Sequence, residues 1–504
     1  MSKRIVVNAG LIETRVAVQE GNLLTELYLE RKRHRSIVGS VYKGTVTNVL
    51  PGMQAAFVDI GLTKDAFLYA GDYTATLLPS AEGDAEIDVE EGETPRREAT
   101  GPIEQMLSRG QQVLVQVSKE SLGTKGARIT SFISLPGRYL VYMPQAKHTG
   151  VSRRIRDERE RDRLRAALRA LELPPGGFIL RTNAEGKGEA EFAADVEFLS
   201  RLWAQIQARY ERATPPAALH EEADLTFRVV RDLFSPEVDE FVVDDAEVHE
   251  RVLGYVRALV PALEERVKLY RERTPIFDAF SIEKDIDKAL RRRVWLKSGG
   301  YIVIDHTEAL VSIDVNTGKY VGKRDFEQTV LKINLESVTE VVRQIRLRDL
   351  GGIIIIDFID MEVPEHREQV EKALKRALAD DKARTNVMPI SELGLVEMTR
   401  KRVRQDLRAL LSVGCPTCRG SGVTKSDETL AAEVLRAVRA KLAGDGEPGG
   451  RREIVARVHP DVAAYLESEV RADLSQLENA LDVKITVQPV DKQPHREDFE
   501  IRVR

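Results

Sequence analysis

The chain has 504 residues, 42% of them hydrophobic and 31% charged, with a formal net charge of −5. That length implies several domains, and that composition describes a globular chain rather than a disordered or fibrous one. No apolar run approaches the roughly 20 residues of a membrane-spanning helix. The N-terminus turns polar too early for a signal peptide, and two cysteines build no disulfide scaffold, so a reducing cytoplasm is expected.

Residues 3–35 alternate apolar and polar positions and predict short antiparallel strands joined by glycine-containing turns. Residues 36–135 remain strand-rich, and five short segments with glycines between them predict a small OB-fold barrel. An acidic low-complexity stretch near 83–98 interrupts that barrel and is expected to be a disordered loop. A charged helix is predicted from about Asp157 to Leu171, and a second over 190–212 with Phe192, Val196, Leu199 and Trp203 on one face. A third is predicted over 245–273, ended by Thr274-Pro275. From about 290 the pattern becomes α/β: strands near 302–305 and 310–315, a helix from about Asp325 to Asp349, and a strand over 353–358. Next come a helix opening near Pro364, where proline lacks only an amide the first turn does not use, and a helix over 395–412 leading into the cysteines. Residues 444–450 read as a flexible linker and 452–504 as a small β-α-β-β domain.

Two acids carry the chemistry. In Ser312-Ile-Asp314-Val-Asn316, period two puts Ser312, Asp314 and Asn316 on one strand face. In Ile353-Ile-Ile-Ile-Asp357 the unbroken apolar run predicts a strand buried on both faces, with Asp357 at its exit from the core. Two strands separated by one helix are expected to be parallel neighbours, which brings Asp314 and Asp357 together at one sheet edge. Like charges that close call for a bridging cation, and oxygen ligands favour magnesium, with manganese as the alternative. The plainer reading makes each an ordinary strand-end acid. Asp360 and Glu362 are assigned to the following loop and helix start.

Cys415 and Cys418, in Cys-Pro-Thr-Cys, supply two of the four ligands a structural zinc needs. Histidines such as His366 or His459 could complete the set, or a second copy of the chain could, giving a zinc shared across a symmetric dimer. A redox pair is the remaining alternative. In the barrel, Phe57 and Phe67 accompany Lys43, Lys119 and Lys125, the combination that grips single-stranded nucleic acid, although barrel aromatics are commonly core. Basic runs at 30–35, 153–156, 291–293 and 400–404 offset the acidic average locally.

Taken together, Pro51 to Gly61 (PGMQAAFVDIG), Gly137 to Val141, Leu180-Arg-Thr182, Ser312 to Asn316, Arg346 to Gly352 (RLRDLGG), Ile356 to Met361 and Cys415-Pro-Thr-Cys418 resemble the bacterial ribonuclease E/G family over nearly the whole chain. The length is that of its shorter members, without the long disordered scaffold; the acidic stretch departs from a compact barrel. The resemblance implies a multidomain α+β and α/β architecture. It comprises a split ribonuclease-H-like subdomain (1–35 and 224–289), an S1-type OB-fold RNA-binding domain (36–131) and a 5′-sensor region (132–223). A DNase-I-like catalytic subdomain (290–410), a zinc link (411–422) and a small C-terminal domain (423–504) follow. It further implies a magnesium-dependent endoribonuclease for single-stranded RNA, leaving 5′-phosphate and 3′-hydroxyl ends, favouring 5′-monophosphorylated RNA and serving rRNA maturation and mRNA decay. By position, Asp314 and Asp357 match the magnesium ligands and Asn316 a residue orienting them. Arg181 and Thr182, with Gly137, Val141 and Arg384 beside them, match the 5′-phosphate pocket. Phe57, Phe67, Lys119 and Lys125 match the RNA-gripping surface, and Cys415 and Cys418 the zinc link of a homodimer, with a tetramer as the alternative. The competing class is a non-catalytic RNA-binding or scaffold protein using the barrel alone.

Overall fold

The structure is a computed structural model that describes all residues except 1, 34, 74–100, 121–125, 147–148, 319–325, 392, 403, 445–451, 491–494 and 504. The acidic stretch 83–98, Lys125 and most of the linker at 444–450 therefore lie outside the described residues. The chain divides into two compact units, Met1–Arg404 and Gln405–Arg504. Among the described residues, no helix is long and apolar enough to cross a membrane.

Among the described residues, the larger unit is a mixed α and β assembly of four sheets. The first sheet joins two distant stretches of chain. Lys3–Ala9, Glu13–Glu20 and Leu23–Arg31 form an antiparallel meander, and Glu240–Val243 then Val267–Leu269 add in parallel beside Lys3–Ala9. Ile5, Val7, Val16 and Val18 alternate inward against Val229, Phe234 and Val252. The predicted helix over 245–273 stops at Leu259. Pro261 opens a 3-10 turn, Pro261–Arg266, and the chain continues as the strand Val267–Leu269, because proline cannot extend the α-helical ladder.

Val41–Leu50, Ala55–Asp59, Ala66–Tyr69, Arg128–Thr130 and Gln112–Lys119 form a closed, OB-like five-stranded barrel, sealed by pairing of the first with the last. Lys43 stands on the outer face of the barrel but is not free there: it is buried under Tyr210, and its amine donates to the Tyr210 carbonyl at 2.8 Å. A four-stranded sheet, Thr149–Val151, Gly177–Leu180, Leu140–Met143 and Leu135–Pro136, is backed by the helices Glu158–Arg169 and Glu189–Arg212 through Leu164, Leu168, Phe192, Val196 and Leu199.

The last sheet of this unit has six strands in the order Arg293–Trp295, Tyr301–His306, Leu310–Asn316, Gly352–Asp357, Leu395–Arg400 and Thr385–Val387. The helices Phe326–Leu347 and Pro364–Ala377 cover one of its faces, where Ile302, Ile304, Ile313, Ile354, Ile356 and Val396 form the core. The other face is open. The run 353–356 is therefore not buried on both sides as expected: Ile354 and Ile356 are inside, whereas Ile353 is 47% exposed. The predicted helix over 395–412 is instead the strand Leu395–Arg400, followed by a single short helix, Leu407–Leu411. Val396, Met398 and Arg400 point inward at period two, and pairing with Gly352–Asp357 decides the conformation.

The smaller unit carries a three-stranded sheet in the order Val483–Pro489, Arg452–Val458, Glu500–Val503. Two helices, Pro460–Ser468 and Arg471–Leu481, stand where one was expected, and Asp427–Gly444 completes its core.

Candidate active site

Leu310–Asn316 and Gly352–Asp357 are parallel neighbours, and Asp314 lies directly opposite Asp357. Opposed residues of adjacent strands share a face, so both carboxylates rise from the open face at the carboxyl ends of their strands. Both are exposed. The Asn316 amide, two residues along the same face, donates to an Asp314 carboxylate oxygen at 2.8 Å and fixes its orientation. The chain leaves this point sharply. Gly318 has φ +60° and a Cβ there would lie 2.4 Å from the Gly299 carbonyl oxygen, so only glycine fits the turn after Asn316.

Partial burial, then the charge of Asp314, then that of Asp360, push the Asp357 carboxyl above the usual carboxylate range. Among the described residues, neither Asp314 nor Asp357 has an ion-pair partner, and no group of three or more His, Cys, Asp or Glu side chains clusters at metal-binding spacing.. Two opposed carboxylates with no ion-pair partner among the described residues fit a hard divalent cation of the magnesium type, which commonly takes one or two carboxylates and fills its octahedron with water and phosphate oxygens.

Arg181 follows the strand Gly177–Leu180, and Thr182 opens the next 3-10 turn. The Arg181 guanidinium donates to the Gly137 carbonyl at 2.6 Å and to Asp232 at 2.7 Å. Asp232 was not foreseen from sequence, and no local signal marks it. Burial works to raise its carboxyl, but Arg181 and Arg231 beside it prevail and hold it at about 2. Close approach requires glycine at 137: a Cβ would lie 2.5 Å from the Asp195 carboxylate, which accepts the amides of Arg138, Tyr139 and Leu140. Val141 is buried with Met143 and Ile179 in a small apolar cluster of the same sheet. Arg384 comes from a different sheet, directly before the edge strand Thr385–Val387 of the six-stranded sheet.

On the barrel, Phe57 and Phe67 are half-buried cross-strand partners with ring centroids 5.6 Å apart. They stand on the outer face, not in the core. Two residues missed by the sequence reading extend the patch: Tyr69 lies 4.4 Å from Phe67, and the Arg128 guanidinium stacks 4.7 Å from the Tyr69 ring. Period-two continuation from Phe67 would have found Tyr69. Arg128 required the pairing of Phe67 with Arg128 across strands. Lys119 is exposed and pairs with Arg128.

In the smaller unit, Cys415 and Cys418 sit on an exposed turn carrying Arg419, Gly420 and Gly422 in left-handed conformations. Backbone amides of Cys418 and Thr417 lower the Cys415 thiol, and the Gly422 amide donates to the Cys418 sulfur at 3.4 Å. This is a two-sulfur knuckle. His459 caps its own helix by accepting the Asp461 amide, and His366, in the larger unit, is buried against Glu327 at 2.9 Å.

A sequence model described as the ribonuclease E/G family matches residues 134–403, and one described as the ribonuclease E/G thioredoxin-like domain matches 414–504. The chain is 43% identical to ribonuclease G of Escherichia coli (strain K12) over 496 residues, covering 98% of both chains. It is 43% identical to ribonuclease G of Haemophilus influenzae over 434 residues, 86% of each. Against ribonuclease E of Escherichia coli (strain K12) it is 36% identical over 510 residues, spanning 99% of this chain and 46% of that one.

Proposed function

Because this chain belongs to the ribonuclease E/G family and is an endoribonuclease, we propose that Asp314 and Asp357 are its catalytic acids and that magnesium, or manganese in its place, is its working ion. The observation that carries this reading is the register pairing of the two acids on an open face, with Asn316 orienting one of them. An ion bound there supplies positive charge to the phosphoryl oxygens and makes water more acidic. Water adds across the P–O3′ bond: its oxygen goes to phosphorus, a proton goes to the leaving 3′ oxygen, and the products end in 5′-phosphate and 3′-hydroxyl. Incubating a labelled single-stranded oligoribonucleotide with magnesium or with EDTA tests this. Cleavage only with magnesium, leaving those ends, is expected; binding without cleavage would favour the scaffold reading.

The remaining assignments complete the proposal. Residues 1–35 with 224–289 form a ribonuclease-H-like subdomain, 36–131 an S1-type RNA-binding domain, 132–223 the 5′-sensor region, 290–410 a DNase-I-like catalytic subdomain, 411–422 the zinc link and 423–504 a small C-terminal domain. Phe57, Phe67, Lys119 and Lys125 grip the strand in the cytoplasm during rRNA maturation and mRNA decay. Arg181, Thr182, Gly137, Val141 and Arg384 serve a 5′-monophosphate. The phosphate would compete with Asp232 for the Arg181 fork, a built-in anion that tunes affinity. Arg181→Ala is expected to erase the rate advantage of 5′-monophosphate over 5′-hydroxyl substrates; equal rates on both in the unaltered protein would remove the sensor.

Cys415 and Cys418 of two chains give a four-sulfur zinc site and a homodimer, itself able to pair into a tetramer. Half a zinc per chain is expected by elemental analysis. Cys415→Ser should lower both the zinc content and the mass seen by light scattering, and a zinc-free dimer of unchanged mass would discard the link.

A further inference from the structure

The open face of the six-stranded sheet carries more than the two acids. Period two in Arg293-Val-Trp295 turns Val294 into the core and leaves Arg293 and Trp295 outside. Trp295 is 60% exposed. It lies directly across from Tyr301, which lies across from Asn316, while Val303 faces Asp314. All of these side chains therefore belong to the face that holds Asp314 and Asp357. The Trp295 and Tyr301 rings meet edge-on at 5.3 Å, and the Arg293 guanidinium sits 4.4 Å from the Tyr301 centroid and 5.8 Å from that of Trp295.

We propose that Trp295 and Tyr301, with Arg293 over them, form a stacking platform for a nucleobase of the RNA strand whose phosphate lies at Asp314 and Asp357. The inference rests on the active-site reading above and adds a substrate subsite to it. A largely exposed tryptophan presents apolar area that water solvates poorly, and a base has the flat π-face to cover it. The guanidinium adds a cation for the adjoining phosphate, so the cluster suits a strand of bases and anions. Two strand spacings, roughly 10 Å, separate Trp295 from the strand of Asp314. That is about three stacked rises of ~3.4 Å, so the seated base is a near neighbour of the scissile linkage. The competing account is an ordinary cross-strand aromatic pair that stabilises the sheet edge.

The chain has two tryptophans, Trp203 and Trp295. In full-length protein carrying Trp203→Phe and Asp357→Asn, all tryptophan emission comes from Trp295. A short unstructured oligoribonucleotide is expected to quench that emission saturably, and an abasic oligomer of the same length to leave it unchanged. In the otherwise unaltered chain, Trp295→Ala is expected to raise KM about tenfold with kcat nearly constant, and Trp295→Phe to restore most of the loss. RNA bound by a filter assay without change in Trp295 emission overturns the platform. So does Trp295→Ala that lowers thermal stability while leaving KM unmoved, the signature of a purely structural pair. Full cleavage by Asp357→Asn would sink the acid site instead, and emission, read on binding, would still judge the platform.

Discussion

Asp314→Asn and Asp357→Asn are each expected to lower single-turnover cleavage in magnesium by roughly a thousandfold or more, with RNA affinity changed no more than a few-fold. The substitution keeps shape and removes one negative charge from a pair that the strand register sets opposite each other. Losing an ion's hold on the phosphoryl group removes several kcal/mol of transition-state stabilisation, and each ~1.4 kcal/mol is tenfold in rate. Affinity should survive because the barrel's aromatic and cationic patch is a separate structure. Misfolding would not explain the loss. Burial and the neighbouring acids already disfavour the charged form of Asp357, so a neutral amide there relieves repulsion rather than creating it. Thermal unfolding in EDTA should find Asp357→Asn at least as stable as the parent. Cleavage at the parental rate by either variant would remove the acids from the mechanism.

The parts of this site that were legible in sequence are those fixed by local periodicity. Ser312, Asp314 and Asn316 fall on one face because strands alternate, and Asp357 ends a β-branched run short enough to be a strand. What the sequence hid depends on contacts between distant segments. Residues 395–400 carry helix-compatible Leu, Glu and Met, and only pairing with 352–357 makes them a strand. The open face was hidden for the same reason: a run of isoleucines says that a strand is apolar, not that helices cover one side alone. The Asp232 partner of Arg181 is 51 residues away in the chain and leaves no local trace. The two-cysteine knuckle is the opposite case, since all its geometry is contained in one turn.

Arg400→Met is expected to destabilise the larger unit by about 3–5 kcal/mol, read as an earlier urea midpoint, and to slow cleavage even where the protein remains folded. Period two turns Arg400 inward beside Val396 and Met398, where an unpaired charge could not stay. There its guanidinium meets Asp381 at 2.7 Å, Asp349 at 2.7 Å and the Leu350 carbonyl at 2.9 Å. The side chains of Asp381 and Asp349 are only 2% and 8% exposed. Methionine fills similar volume but leaves the Asp381 carboxylate only the Ala383 amide, with no countercharge among the described residues, and leaves Asp349 to Arg404. Much of the cost is that of an uncompensated buried carboxylate, so adding Asp381→Asn should recover part of it; a double-mutant coupling near zero would reject the account. The catalytic consequence follows from register. Arg400 pairs with Gly352, the first residue of the strand whose last residue is Asp357, and its bond to Leu350 anchors the chain just before that strand. Freeing this anchor lets the strand shift beside its neighbour, and Asp357 then no longer meets Asp314 squarely. Cleavage by folded Arg400→Met at the parental rate would show that the acids keep their spacing without it.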